Sequence, residues 1–237
     1  MTTPLPDRPA PHRASVREAD DASVARDYFA GLAADYQAAF DGRARNPLDR
    51  LINRLFRRRT FALRSALVLE ALAARPLAGK TVLDVGCGSG DLTVRVAQLG
   101  VAHVHGIDIA RPMLDLARRR AESAGVSDRV SLDLGDALRD RLPPADITMA
   151  VGVIEYYDDL PRLLARMAEV TRETLVIVDT RGPWWRRALR RLLAWWRGFR
   201  IYYRPPQVVA EILAPLGFVE TTRHHGHSFT LFVFDRR

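Results

Sequence analysis

Residues 81–92, Thr81-Val82-Leu83-Asp84-Val85-Gly86-Cys87-Gly88-Ser89-Gly90-Asp91-Leu92, decide how this chain reads. Val82, Leu83 and Val85 are apolar and largely β-branched, which predicts a short strand buried on both faces. Gly86, Gly88 and Gly90 follow at once, permitting a tight turn and a close approach of backbone to ligand. Leu92, Val94, Val96, Ala97 and Leu99 then recur at roughly helical spacing, so the loop opens a helix, whose N-terminus presents unpaired N–H groups. The spacing is Gly-x-Gly-x-Gly, not the Gly-x-Gly-x-x-Gly of dinucleotide sites. Asp84, two residues before the first glycine, would repel a pyrophosphate and attract an ammonium group. Val104-His105-Gly106-Ile107-Asp108 reads as a second strand ending in an acid, where nucleotide-binding βαβ units hold ribose hydroxyls.

A ligand with an amino-acid end, a ribose and no phosphate fits both acids, and S-adenosylmethionine is such a ligand. On Leu83–Gly90, Gly106-Ile107-Asp108-Ile109 and Leu134-Gly135-Asp136-Ala137, residues 80–237 resemble the class I S-adenosylmethionine-dependent methyltransferases. The resemblance implies an α/β fold: a Rossmann-like, seven-stranded, mostly parallel sheet with a C-terminal antiparallel hairpin and an N-terminal helical lid. It implies cofactor contacts from Asp84, Gly86, Cys87, Gly88, Gly90, Asp108, Met113, Ala137 and Val151, with Ile109 on the adenine face and Asp136 near the adenine amino group. Tyr28 and Tyr36 resemble the aromatic pair of the lid, although plain helix-face residues would read the same way. The nearest feel is that of the quinone-precursor and magnesium-protoporphyrin enzymes.

Composition bounds the remainder. The chain has 237 residues, 48% of them apolar, enough for a large core. Its one cysteine, Cys87, excludes an internal disulfide and a cysteine-ligated zinc or iron–sulfur site, and fits a reducing compartment. No metal ligand set is expected. Met1 to Ala19 has no apolar signal core, and no apolar run approaches the roughly 20 residues of a membrane span. A cytoplasmic protein, peripheral at the inner face of a membrane, is the expectation. The net charge of +8 comes from two patches: residues 184–204 hold seven arginines and no acid, and residues 45–64 hold seven arginines against Asp49.

In chain order, residues 1–19 read as a disordered tail, 20–76 as a helical lid, and 77–237 as the cofactor-binding domain with a basic amphipathic insertion at 182–204. Strands are expected near 81–86, 103–108, 129–134, 145–151 and 174–180, and helices near 90–99, 111–124, 159–171 and 205–216. Phe218 to Arg223 and Phe229 to Phe234 read as a hairpin turning across His224-His225-Gly226-His227-Ser228.

The acceptor should meet the cofactor at Val151-Gly152-Val153-Ile154-Glu155-Tyr156-Tyr157-Asp158, at the carboxyl end of the fourth strand. Nucleic-acid amino-methyltransferases carry an Asn/Asp-Pro-Pro-Tyr/Phe motif here, and this chain has none. Candidate proton acceptors are Tyr156, Glu155 and the turn histidines, of which His227 is the favoured one; solvated turn histidines are the plain alternative. A small-molecule or amphipathic acceptor methylated on oxygen is therefore expected. An RNA methyltransferase, suggested by the arginines, and a non-catalytic binding module are the rivals.

Within the insertion, at about 100° per residue, Trp184, Trp185, Ala188, Leu189, Leu192, Trp195, Trp196 and Phe199 share one half of a helix. Arg186, Arg187, Arg190, Arg191 and Arg197 share the other. Residues 184–200 thus read either as an interfacial helix on an anionic membrane or as a cap whose apolar half covers the site.

Overall fold

The computed structural model describes Arg26, residues 58–196, Gly198 and residues 200–237. The tail at 1–19, the lid pair Tyr28 and Tyr36, and the patch at 45–57 lie outside these described residues. The described chain runs α1 (Arg58–Ala73), β1 (Thr81–Val85), α2 (Asp91–Gln98), β2 (His103–Asp108), α3 (Arg111–Ser123), β3 (Val130–Leu134) and β4 (Ala145–Val151). It continues through α4 (Leu160–Val170), β5 (Thr171–Thr180), α5 (Trp184–Trp196), α6 (Gln207–Leu213), β6 (Phe218–His225) and β7 (Phe229–Arg236).

Seven strands among the described residues form one sheet in the order β3-β2-β1-β4-β5-β7-β6. The first five are parallel, and β7 lies antiparallel between β5 and β6. This is the Rossmann-like arrangement expected. From β1 the chain steps outward to β2 and β3, then returns to add β4 on the other side of β1. The carboxyl ends of β1 and β4 therefore flank the point where strand order reverses, and open α/β sheets bind ligands there.

Strand alternation builds a core on each face. Leu83, Val85 and Ile107 face a layer with Leu163, Leu164 and Met167 of α4 and Leu213 of α6. Val82, Val104 and Met149 face the layer of Val94, Val96 and Ala97 of α2 and Val68 and Leu72 of α1. Each fully buried side chain of this size contributes about 1.5–3 kcal/mol relative to exposure.

Local chemistry explains the element ends. Gly90, at φ 75°, turns the loop into α2. Asp159 caps α4 by accepting from the Arg162 N–H at 3.0 Å, with Pro161 in the first turn. At the other end of α4 the sequence reading and the structure differ. The expected gap before the fifth strand does not exist, because β5 starts at Thr171, the residue that ends the helix. Thr171 Oγ1 bonds the Met167 carbonyl and Thr148 Oγ1, both at 2.6 Å, so one residue serves helix and sheet together. The hairpin also differs: His224 and His225 belong to β6, leaving only residues 226–228 as the turn.

Candidate active site

The glycine loop is tied to the end of β2. The Gly86 and Cys87 N–H groups donate to the Ile107 carbonyl at 2.8 and 3.1 Å, and the Gly88 N–H donates to Asp108 Oδ2 at 2.8 Å. Gly86, Gly88 and Gly90 all have positive φ. A Cβ on Gly86 would stand 2.5 Å from Val153 Cγ2, and one on Gly90 2.6 Å from Ala117 Cβ. Gly88 differs in having open space where a Cβ would point. The loop is thus packed from behind and free in front, a cradle into which a ligand's polar end fits.

Two acids face this cradle. Asp84 is 3% exposed and accepts from Thr93 Oγ1 at 2.6 Å. Burial pushes its carboxyl up to about 7; the Thr93 hydrogen bond opposes the rise and nearby Asp108 adds to it. Asp108 accepts from the Gly88 and Ala110 N–H groups, one to each oxygen. Burial raises its pKa also, against those hydrogen bonds. Two raised acids side by side suit an ammonium and hydroxyl groups, and oppose phosphate. The Cys87 thiol is pushed well above its ordinary value by burial and by both carboxylates, so it is held as a neutral packing group. A Cβ on Gly106 would touch its sulfur at 2.9 Å, which places the thiol against β2.

Asp136, just beyond β3, accepts from the Leu138 N–H at 2.9 Å and stands 3.6 Å from Arg139. Met113 and Ala137 are buried, and Ile109 and Val151 half-buried, at the ends of the same strands and helices. The sequence reading missed Tyr157. It is half-buried, and its phenol is raised in pKa, first by burial and then by the charges of nearby Asp136 and Asp108. The structure brings Tyr157, not its neighbour Tyr156, to the acids of the cofactor side. Arg64 of α1 was missed as well: a Cβ on Gly152 would meet Arg64 Nη1 at 2.5 Å, so that guanidinium covers the end of β4.

Tyr156 and Glu155 sit in a short 3₁₀ turn, Ile154–Tyr156, beneath α5. Arg190 reaches the Tyr156 hydroxyl at 3.3 Å and approaches Glu155 Oε1 at 3.7 Å. Arg187, Arg190 and Arg191 stand 5.2–5.9 Å from the centre of the Tyr203 ring. The arginine half of α5 thus faces inward, opposite to the cap reading. Trp184, Trp195 and Trp196 face outward at 75%, 71% and 77% exposure, and Trp185, Leu189, Leu192 and Leu193 are exposed too. Asp179, near the end of β5, is buried and pairs with Arg181 at 2.8 Å. Burial and the Glu155 charge lift its carboxyl to about 6, with Arg181 opposing.

His227 is exposed in the β6–β7 turn. That turn lies at the carboxyl end of β5, where Thr180 pairs with Phe229 and the Arg181 N–H donates to the Ser228 carbonyl at 2.7 Å. His225 Nδ1 meets Thr230 Oγ1 at 3.3 Å, and His224 stacks on Phe229. Among the described residues, no group of three or more His, Cys, Asp or Glu side chains could hold a metal ion, and no helix is long and apolar enough to cross a membrane.

Residues 82–174 match the family model of a methyltransferase domain. Ribosomal protein L11 methyltransferase of Erwinia tasmaniensis is 45% identical over 86 residues, covering 36% of this chain and 29% of that protein. Methyltransferase GfsG of Streptomyces halstedii is 39% identical over 99 residues, covering 40% and 35%. The chain thus spans about a third of the length of the curated relatives it matches. The solved structure of magnesium protoporphyrin IX methyltransferase from Synechocystis, with bound S-adenosylhomocysteine, superposes with a TM-score of 0.70 at 20% identity, over 92% of this chain and 100% of that one. Geranyl diphosphate C-methyltransferase from Streptomyces coelicolor superposes at 0.62 with 14% identity, over 74% and 77%.

Proposed function

We propose that this chain, whose residues 82–174 match a methyltransferase domain, is a class I S-adenosylmethionine-dependent methyltransferase with that molecule as its cofactor, and that the whole protein methylates an oxygen of a small, lipid-like acceptor while docked on an anionic membrane surface. Asp84 holds the cofactor's ammonium, Asp108 its ribose hydroxyls, and Asp136 with Tyr157 its adenine end. Cys87, Ile109, Met113, Ala137 and Val151 line the pocket between them. Bound S-adenosylmethionine supplies a methyl group on an electrophilic sulfonium. The protein's own work is to align the acceptor and to take a proton, which needs no metal in this scheme.

The orientation of α5 is the observation that carries the acceptor class. Its tryptophan–leucine half is exposed, and tryptophan on such a face suits the headgroup boundary of a bilayer. Exposed Arg191 and Arg200 beside it could each contribute about 1 kcal/mol at an anionic surface. The same orientation argues against an RNA reading, since Arg187, Arg190 and Arg191 gather on Tyr203 instead of forming an outward basic stripe. A protein acceptor is the second reading, supported by the ribosomal protein L11 methyltransferase relatives. A binding module without catalysis is disfavoured by the intact loop and its two acids.

Sedimentation with vesicles of anionic and of neutral lipid tests the docking. Binding to the anionic vesicles that weakens with salt is expected, and equal recovery with both kinds overturns it. Methyl incorporation from labelled cofactor into a lipid extract is the matching test of the acceptor; label found only in protein overturns it.

A further inference from the structure

Between the carboxyl ends of β4 and β5, under α5, lies a polar group of side chains whose hydrogen-bonding capacity is not fully met among the described residues. Glu155 is 1% exposed, yet among the described residues neither carboxylate oxygen has a hydrogen-bond partner; Arg190 stands 3.7 Å from Oε1. The Tyr203 hydroxyl and the Arg181 Nε–H are buried and unpartnered in the same region. Asp179 is close enough for the Glu155 charge to raise its pKa. Leaving a buried acceptor or donor unmet costs about 1–3 kcal/mol, more when it is charged. These particular atoms add no hydrogen bond to the fold, and groups that arrive with a ligand could meet them.

We propose that Glu155, with Tyr203 and Arg181, forms the acceptor subsite, and that it takes an acidic hydroxyl, a phenol or an enol. The inference rests on the methyltransferase reading and names the substrate class of that same site. Three observations support the class. The unmet groups at the centre are acceptors, so the ligand must donate. The unmet Tyr203 hydroxyl and Arg181 Nε–H can hold a second oxygen beside the first. The neighbours are aromatic: Tyr156 and Tyr203 pack against Ala194 and Ile201. The base is a carboxylate, which favours an acidic donor. It can accept from a phenol, with a pKa of about 10, far more readily than from an aliphatic alcohol.

The place is right for the reaction. Val153, two residues before Glu155, packs on Gly86 of the cofactor loop. In the transfer the acceptor oxygen forms a bond to the methyl carbon, and the carbon–sulfur bond breaks with its electron pair left on sulfur. The hydroxyl proton passes to the Glu155 carboxylate. Glu155 would thus bind and deprotonate, while Arg190 holds it from the α5 side.

The test uses the full-length protein saturated with S-adenosylhomocysteine and titrated by calorimetry with 4-butylphenol and with 4-butylanisole. The two probes differ only in the hydroxyl proton. Wild type should bind the phenol about tenfold more tightly than the ether. Glu155→Leu should abolish that preference, and Glu155→Gln, which preserves shape should the leucine variant fail to fold, should reduce it at least threefold. Equal binding of the two probes by wild type, or a preference kept in Glu155→Gln, overturns the subsite. Failure to bind S-adenosylhomocysteine at all is a different result, because it overturns the methyltransferase reading on which the subsite rests.

Discussion

The two ends of the strand-order reversal are finished to different degrees. On the β1–β2 side the acids have partners within the chain: Thr93 for Asp84, and the Gly88 and Ala110 N–H groups for Asp108. On the β4–β5 side Glu155, Tyr203 and Arg181 keep buried atoms with no hydrogen-bond partner among the described residues. A cofactor that stays the same can be met by geometry set in the backbone. An acceptor must supply its own share of the bonding, so the chain leaves that share open. The contrast also separates stability from recognition, since the first cluster is bonded within the fold and the second is the one we propose for the ligand.

The largest blow to the cofactor side is expected from Gly86→Ala. Its Cβ would stand 2.5 Å from Val153 Cγ2, at a φ of 71° that L residues rarely adopt. A loss of about 3 kcal/mol in chemical denaturation is expected, and an unchanged midpoint would mean that the loop is not packed as described.

Asp108→Ala comes next. Removal of charge-assisted hydrogen bonds should weaken S-adenosylhomocysteine about 100-fold in calorimetry, or about 2.7 kcal/mol. Wild-type affinity after the change would remove Asp108 from the cofactor site.

The raised acids make a smaller, pH-dependent contribution. Asp84 titrates near 7 in the folded chain and near its ordinary value when unfolded. The folded state therefore holds the extra proton, and that stability is present at low pH and lost as pH rises through about 7. Between pH 5 and pH 8 the cofactor-free protein should lose about 2 kcal/mol from Asp84. Asp179, near 6, should add a part that ends earlier. Asp84→Asn should flatten most of the slope in denaturant melts at each pH, and an unaltered slope would assign it to other groups. By the same sign, affinity for S-adenosylhomocysteine should increase with pH across that window, as Asp84 ionises and can face an ammonium.

The smallest expected effect on the fold is at the outer face of α5. Trp195→Glu with Trp196→Glu should change stability by less than about 0.5 kcal/mol, because both rings are mostly exposed. The same pair should abolish binding to anionic vesicles. A strongly destabilised double variant would mean that the tryptophans pack inward.

Much of this was legible in residue order. The alternation of apolar runs and helical periods located all seven strands and the order of the helices, since buried parallel strands and amphipathic helices announce themselves locally. The exception at Thr171 arose because helix and strand meet without a turn, and no glycine or proline marks the junction. Tyr157 escaped for another reason. Adjacent tyrosines in a 3₁₀ turn and its exit point in different directions, and composition cannot say which one reaches Asp136. Arg64 was counted with a surface patch, and only the packing of α1 brings it over Gly152.

Residue order by itself determined the βαβ frame, the Gly-x-Gly-x-Gly loop, and the two acids Asp84 and Asp108 at strand ends, because each is a pattern closed within a few turns of chain. Tertiary structure alone decided which half of α5 faces inward, since an amphipathic period defines two faces and not which one the protein keeps. It alone also joined Glu155, Asp179, Arg181, Arg190 and Tyr203. Those residues come from segments that meet only after β5 has been laid beside β4 and the chain has returned beneath α5, and no spacing along the sequence measures that distance.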